Sequence, residues 1–187
     1  MLGIDLSSVD FGVLSHAHYD HSDGMDAFFS LNSNAPFLVR NSSEENCFGM
    51  EDGAMKYIGI RKGLLKEFGT RIRYLDGLYK ISDAIWLIPH RTKDYSRIAK
   101  RNELYVRQRG KYVPDSFSHE QSLVISFKTG LIIFNSCSHT GMQNILDDVT
   151  QALGRTDVLA YIGGLHLYMS ERENLGFQSG DESEHLV

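Results

Sequence analysis

Short runs of apolar residues alternate with polar turns along most of the chain. Runs of this length and composition predict β-strands. Seven strands are predicted, over residues 11–15, 36–40, 72–75, 84–88, 121–128, 131–135 and 158–162. Gly130 after Thr129 predicts a hairpin turn between the strands at 121–128 and 131–135, and Gly110 after Arg109 predicts another.

Helical periodicity is strongest over residues 142–153, where Ile145, Leu146, Val149 and Leu153 share one face and Gly154 provides a stop. A shorter helix is predicted after the capping residues Ser22 and Asp23. Its apolar positions are Met25, Phe28, Phe29 and Leu31. Short strands interspersed with helices predict an α/β fold.

The length of 187 residues predicts one domain. No further apolar period follows Leu167, so the expected division is a domain over 1–169 and a loose polar tail over 170–187.

Charge and cysteine content narrow the class of protein. A formal net charge of -5 argues against a bulk affinity for polyanions. Cys47 and Cys137 are too few for a disulfide framework, and the first residues do not resemble a secretion signal. The apolar runs are far shorter than the roughly 20 residues needed to span a bilayer. We therefore expect a soluble, cytoplasmic protein without a membrane partner.

Residues 90–112 depart from this average, since they hold eight Lys and Arg side chains against two acidic ones, with tyrosines between them. The favoured interpretation is a solvated insertion. The alternative is a lid over an anionic substrate or a nucleic-acid groove, in which cations neutralise phosphates and aromatic faces stack on bases. A phosphorylated small-molecule substrate therefore stays open.

The candidate chemistry is concentrated in residues 16–21, which read His-Ala-His-Tyr-Asp-His directly after the first predicted strand. Side chains alternate along a strand, so His16 and His18 point the same way and can bind one ion together. Asp20 and His21 fall in the turn beyond, where they are available to a second ion. Imidazole and carboxylate ligands are typical of zinc and also suit iron or manganese.

Two later strands repeat this arrangement. His139 follows the strand at 131–135, and His166 follows the strand at 158–162 beyond Gly163 and Gly164, which leave room for close approach. Three strand ends thus bring metal-competent side chains to one edge of the predicted sheet.

With these motifs, the chain resembles the metallo-β-lactamase superfamily, whose signature is the His-x-His-x-Asp-His box at 16–21. The sequences at 120–123, 137–141 and 163–167 are similar to the branch of dihydropterin-ribofuranosylaminobenzene phosphate synthase-like proteins. The resemblance runs from about Gly3 to Leu167.

The resemblance implies an αββα sandwich with two zinc ions, or iron or manganese. His16, His18 and His139 would bind the first ion, and Asp20, His21 and His166 the second. Asp20 and His166 would also act in catalysis. A water activated by the two ions would cleave an ester, lactone, amide or phosphodiester.

Some features depart from the family pattern. The chain looks shortened at both ends, which would expose a sheet edge and favour a homodimer. The aspartate that many members place between the two metals is also missing. Asp157 is expected to point away from the site, and a water or Ser138 is expected to replace the aspartate.

Other candidates receive plainer interpretations. We expect Cys137 to be a small buried core residue rather than a ligand, His90 to be a surface histidine, and His119 and His185 to be solvated.

Three functions remain in view. The favoured one is a dinuclear metallo-hydrolase acting on a small molecule. The alternatives are a nuclease or phosphodiesterase of the same fold and a relative that binds metal without catalysis.

Overall fold

Three β-sheets and four α-helices build the computed structural model, within the residues that it describes, 3–91 and 103–165. The helices are α1 Tyr19–Ser22, α2 Gly24–Leu31, α3 Leu64–Glu67 and α4 Met142–Leu153. A 3₁₀ turn, Leu6–Ser8, precedes the first strand. The strands are β1 Gly12–Val13, β2 Phe37–Arg40, β3 Cys47–Glu51, β4 Ala54–Tyr57, β5 Ile72–Leu75, β6 Tyr79–Ser82, β7 Ile85–Pro89, β8 Leu104–Gln108, β9 Lys111–Pro114, β10 Gln121–Phe127, β11 Gly130–Phe134 and β12 Val158–Ile162.

The strands form one parallel, one mixed and one antiparallel sheet. The parallel sheet has the order β1-β2-β5. The mixed sheet has the order β12-β11-β10-β7-β6, in which β11 and β12 are parallel and the other pairs are antiparallel. The antiparallel sheet has the order β4-β3-β8-β9.

The parallel sheet packs against α2 on one face and against the mixed sheet on the other, because successive side chains on a strand point to opposite faces. Phe37 on β2 contacts the rings of Phe28 and Phe29 on α2. Leu38, the next residue, points to the opposite face and packs in a cluster with Leu87 of β7. One face of the parallel sheet therefore receives a helix, and the other receives the mixed sheet.

The mixed sheet is covered in the same way. Leu87 faces the parallel sheet, whereas its neighbour Ile88 packs with Ile145 and Val149 of α4. The order of layers is thus helix, sheet, sheet, helix, and the expected αββα sandwich is confirmed.

The elements with the clearest periodicity were predicted well. The strands at 72–75 and 158–162 and the helix at 142–153 match the observed bounds, and Gly154 ends the helix in the left-handed conformation. Both predicted hairpins are present. Leu31 is a wrong prediction, because its side chain is exposed at the end of α2.

Strands β3, β4 and β6 were missed, and of β8 and β9 only the connecting turn at Gly110 was predicted. They are short and mostly half-exposed, so they lack the apolar run that marks a buried strand. The predicted tail at 170–187 and the end of the predicted domain at 166–169 lie outside the described residues.

Exposed apolar side chains lie on β12, the outer strand of the mixed sheet. Val158, Leu159 and Ile162 are all exposed. The pairing of this edge with a second copy stays a prediction. No helix among the described residues is long and apolar enough to cross a membrane.

One buried side chain joins the two stacked sheets where the candidate ligands lie. Gln121 begins β10, and its Nε2 donates hydrogen bonds to the carbonyl oxygens of Leu14, at 2.8 Å, and Leu38, at 3.3 Å. Its backbone N–H donates to the carbonyl oxygen of Ser15. Because β10 runs antiparallel to β11, the start of β10 lies beside the end of β11. Gln121 therefore ties the chain before His16 to this edge of the mixed sheet.

We predict that Gln121→Leu lowers the free energy of unfolding by about 1–3 kcal/mol, because it leaves buried carbonyl groups without the side-chain donor. Gln143→Leu, on the exposed face of α4, is the matched control and should stay within about 0.5 kcal/mol of wild type. Urea unfolding followed by circular dichroism measures both. Equal midpoints for the two variants would contradict the prediction.

Candidate metal centre

Three imidazole rings meet at the edge where β1 and β11 end. The ring centroids of His16, His18 and His139 are each 4.7 Å from the other two. All three side chains are buried, with at most 5% exposure. Residues more than a hundred positions apart thus form a nearly equilateral triangle of rings.

Local backbone geometry places the first two rings. The rings of His16 and His18 converge, with centroids 4.7 Å apart, and Ala17 between them is fully buried in the core. His18 pairs with Gly59 through an isolated bridge, and α1 begins at the next residue. The predicted shared orientation of His16 and His18 therefore agrees with the geometry.

A buried carboxylate holds the loop that carries His139. Glu120 accepts hydrogen bonds from the backbone N–H groups of His139, at 2.9 Å, and Thr140, at 2.8 Å. The ring of Phe117 stacks on the ring of His139, with centroids 5.1 Å apart and an interplanar angle of 6°. Phe117 has a φ of 52° and is fully buried, so this contact holds a backbone conformation that a bulky residue rarely adopts.

Asp20 and His21 lie on the solvent side of the triangle. Oδ2 of Asp20 is 3.2 Å from Nε2 of His21, and their side chains are 56% and 24% exposed. The ring of His21 is 4.3 Å from that of His16. The site therefore has a buried part and an open part.

Cys137 lies beside the same histidines. Its Sγ is 3.0 Å from Nε2 of His21, and burial raises the pKa of the thiol to about 11. It forms a potential ligand set with His16 and His139, and a second set contains His16, Asp20 and His21. The interpretation of Cys137 as a core residue is therefore wrong, since it is half-buried at the site.

Close backbone contact brings the end of β12 to this edge. A Cβ atom on Gly163 would lie 1.4 Å from the carbonyl oxygen of Asn135, and the N–H of Gly164 donates to the carbonyl oxygen of Ser136. The two glycines allow this approach, as the sequence predicted. His166 itself lies outside the described residues, so its place in the ligand set stays a prediction.

The buried donors fit a cation. Nε2 of His16 has no hydrogen-bond partner among the described residues, although its Nδ1 contacts Ser15 Oγ at 3.1 Å. Burial and the neighbouring imidazoles hold the pKa of His16 well below its ordinary value, so the ring is neutral and keeps a lone pair. A neutral imidazole is the form that binds metal.

Residues 115–121, which we call the support segment, contact both the chain around His16 and His18 and the loop that carries His139. His119 accepts a hydrogen bond from the N–H of Ala17, Glu120 holds the His139 loop, and Gln121 holds Ser15. Asp115 Oδ2 lies 3.8 Å from Nε2 of His18. None of these roles was predicted from the sequence. The prediction that His119 is solvated is wrong, because His119 is 3% exposed.

Comparison with known proteins gives the following matches. No protein-family model matches the chain. A curated relative from Methanocaldococcus jannaschii, 7,8-dihydropterin-6-methyl-4-(beta-D-ribofuranosyl)-aminobenzene-5'-phosphate synthase, is 28% identical over 186 residues, covering 94% of this chain and 62% of that protein. An uncharacterized protein of the same organism is 26% identical over 169 residues, covering 84% of this chain and 58% of that protein.

Among solved structures, a metal-dependent hydrolase of the β-lactamase superfamily superposes with a TM-score of 0.72 and 25% identity, covering 91% of this chain and 62% of that one. The chain has the metallo-β-lactamase fold. The family resemblance read from the His box is thereby confirmed. The chain spans less than two thirds of the length of these relatives.

One further expectation about this metallo-β-lactamase fold can be compared with the structure. Asp157 is exposed and paired with Arg155, so it does point away from the site. Ser138 Oγ contacts the hydroxyl of Tyr161 and donates to the carbonyl oxygen of Gly164, each at 2.6 Å. The replacement of the aspartate by a water or Ser138 stays a prediction.

His90 is a second histidine that the sequence analysis placed wrongly. It is buried, not on the surface, and contacts Ser122 Oγ at 2.7 Å and Asp148 Oδ2 at 3.3 Å. The sequence near His90 does not indicate whether a histidine at a strand end is buried in a polar contact or exposed to solvent.

Proposed function

We propose that this protein is a metal-dependent hydrolase with two divalent cations. The observation that carries the proposal is the triangle of buried imidazoles with its unpartnered nitrogen on His16. The metallo-β-lactamase fold supports it, since a solved structure that superposes on this chain with a TM-score of 0.72 is a metal-dependent hydrolase.

His16, His18 and His139 would hold the first cation, and Asp20, His21 and His166 the second. Cys137 lies within the same group of potential ligands as His16 and His139. Zinc suits these nitrogen and oxygen donors best, and iron or manganese would also fit them. When bound, such a pair of cations supplies Lewis acidity and lowers the pKa of water enough to make it a nucleophile at neutral pH.

The gradient of burial gives the direction of substrate approach. The triangle is closed behind by the support segment, whereas the carboxylate of Asp20 is more than half exposed in front of it. A substrate would therefore meet Asp20 and His21 first. Asp20 would orient the reacting water and accept its proton, because a carboxylate is a hydrogen-bond acceptor when ionised.

Esters, lactones and phosphoesters are the substrate classes that this chemistry serves. The curated relative is named as a synthase whose product carries a 5'-phosphate, which supports a phosphorylated small molecule as substrate.

We predict that protein purified without chelator contains about two divalent ions per chain and that His18→Ala loses at least one of them, because each ligand nitrogen removed weakens the site. His90→Gln is the matched control, since His90 is buried to the same extent but bonded outside the triangle. Elemental analysis by mass spectrometry measures the metal content.

Fewer than about one ion per wild-type chain, or a content unchanged by His18→Ala, would reject the proposal. A panel of ester, lactone and phosphodiester substrates completes the test. If the protein carries its full metal content but hydrolyses none of these substrates, it is a relative that binds metal without catalysis.

A phosphodiesterase or nuclease is the second candidate, favoured by one observation. Arg107 and Arg109 on the β8–β9 hairpin line a surface cavity together with Asp115 and His119 of the support segment. This cavity places two exposed cations beside the support segment, whose Asp115 lies 3.8 Å from Nε2 of His18. The other part of the basic segment, residues 92–102, lies outside the described residues.

We predict that, if phosphodiesters are the substrates, replacing both Arg107 and Arg109 by Glu lowers kcat/KM on the order of tenfold and reduces its dependence on salt. Lys128→Glu in the β10–β11 turn changes charge at the opposite end of the strand and should leave kcat/KM unchanged. Steady-state kinetics at several salt concentrations measure both. Equal salt dependence in all variants would remove the basic hairpin from substrate binding.

A further inference from the structure

Four buried side chains lie directly behind the imidazole triangle. The potential ligand atoms of His18, Cys47, Asp115 and His119 all lie within 4.8 Å of one another. Such a set has two interpretations, a further cation site or a hydrogen-bond network that orients His18. The hydrogen positions imposed by the backbone decide between them.

The backbone fixes the tautomer of His119. The N–H of Ala17 donates to Nδ1 of His119 at 3.2 Å. A backbone N–H is always a donor, so Nδ1 carries a lone pair and no hydrogen. The ring hydrogen is therefore on Nε2, which lies 3.0 Å from Oδ2 of Asp115 and donates to it.

Asp115 accordingly acts as a buried acceptor. Its Oδ1 accepts the N–H of Phe117 at 2.7 Å, and its Oδ2 accepts the hydrogen of His119. Burial acts to raise the pKa of Asp115, but the hydrogen bonds that it accepts from His119 and Phe117 outweigh burial and hold the pKa below its usual range. The group is thus a carboxylate with no hydrogen of its own to donate.

A cation in this cluster would conflict with that arrangement. It would have to replace the hydrogen on Nε2 of His119 while Nδ1 still accepts from Ala17, which would leave the ring as an imidazolate. Cys47 does not remove this conflict. Its Sγ also lies beside Nε2 of His119, at 3.8 Å, so a cation bound to both would displace the same ring hydrogen. The cluster is therefore a network of hydrogen bonds.

The carboxylate faces the ligand histidine. Oδ2 of Asp115 is 3.8 Å from Nε2 of His18, and that nitrogen has no hydrogen-bond partner among the described residues. A nitrogen lone pair aimed at a carboxylate oxygen is repelled, whereas an N–H is attracted. His18 is therefore most stable with its hydrogen on Nε2, which leaves the lone pair on Nδ1.

We propose that Asp115 and His119 are positioning residues that hold His18 as its Nε2–H tautomer and present Nδ1 to the metal. The chain of contacts runs from the Ala17 amide through His119 and Asp115 to His18. This proposal rests on the proposed function, because it assigns a ligand atom within the same site. Outer partners of this kind orient a ligand ring and raise its basicity.

The tautomer is measured directly in the metal-free protein by long-range proton–nitrogen NMR of ¹⁵N-histidine-labelled wild type. The spectra are recorded at increasing pH until the nitrogen shifts of His18 no longer change, so that the ring is observed in its neutral form. The expected spectrum shows a protonated Nε2 and an unprotonated Nδ1 on His18. A hydrogen on Nδ1 of His18 would overturn the proposal, whether or not the protein binds metal.

Two substitutions of His119 separate the network from a cation site. His119→Gln keeps one acceptor for Ala17 and one donor for Asp115, so its zinc affinity should stay close to wild type. His119→Leu removes both and should weaken zinc binding by about 10–100-fold, as should Asp115→Asn to a lesser extent. Competition with a chromophoric zinc chelator gives the affinities, and circular dichroism verifies folding.

The outcomes of these measurements are distinct. Unchanged zinc affinity in folded His119→Leu would overturn the proposal, and so would the loss of one bound ion in His119→Gln, which would identify His119 as a ligand. A wild-type protein that binds no zinc would instead reject the proposed function, while the NMR spectrum would still test the tautomer of His18.

Discussion

The hydrogen bonds made by the support segment are the constraint on which the site depends. The backbone N–H groups of Ala17, His139 and Thr140 all donate to side chains of this one segment, residues 115–121. The segment ends where β10 begins, so the pairing of β10 with β11 fixes it relative to the loop that carries His139. Ligands from distant parts of the sequence therefore share one scaffold, and their separation follows from sheet pairing.

The support segment also bears on how the protein tolerates the buried imidazole rings of the triangle. A buried polar atom without a partner costs about 1–3 kcal/mol, and Nε2 of His16 is such an atom among the described residues. The hydrogen bonds of Glu120 and Gln121 stabilise the loops around it, and a cation bound to the native state alone would add further stability. Folding and metal binding are therefore expected to be coupled in this protein.

The sequence allowed prediction of the parts with local periodicity. The helix at 142–153 and the strand at 158–162 were found because each carries a repeating apolar pattern over its whole length. The His box was recognisable because its spacing is itself the signal, and the glycines at 163 and 164 marked a close backbone approach that the structure contains.

The support segment could not be found in this way. Asp115 and His119 are single polar residues. Their contacts with Ala17 and His18 form only when the pairing of β10 with β11 brings the support segment to the chain that follows β1. The one available signal was a cluster of acidic, imidazole and amide side chains directly before an apolar strand, which is unusual for a solvated loop. Cys137 was misjudged for a related reason, since its position beside His21 depends on contacts between strand ends that a single segment does not encode.

Anomalous diffraction at the zinc edge from crystals of the zinc-loaded protein tests the central claim most directly. The account predicts a peak about 2.0–2.1 Å from one nitrogen each of His16, His18 and His139, with Nδ1 as the nitrogen of His18. A strongest peak among Cys47, Asp115 and His119 instead would contradict it, because the support segment would then bind the metal rather than hold the residues that do.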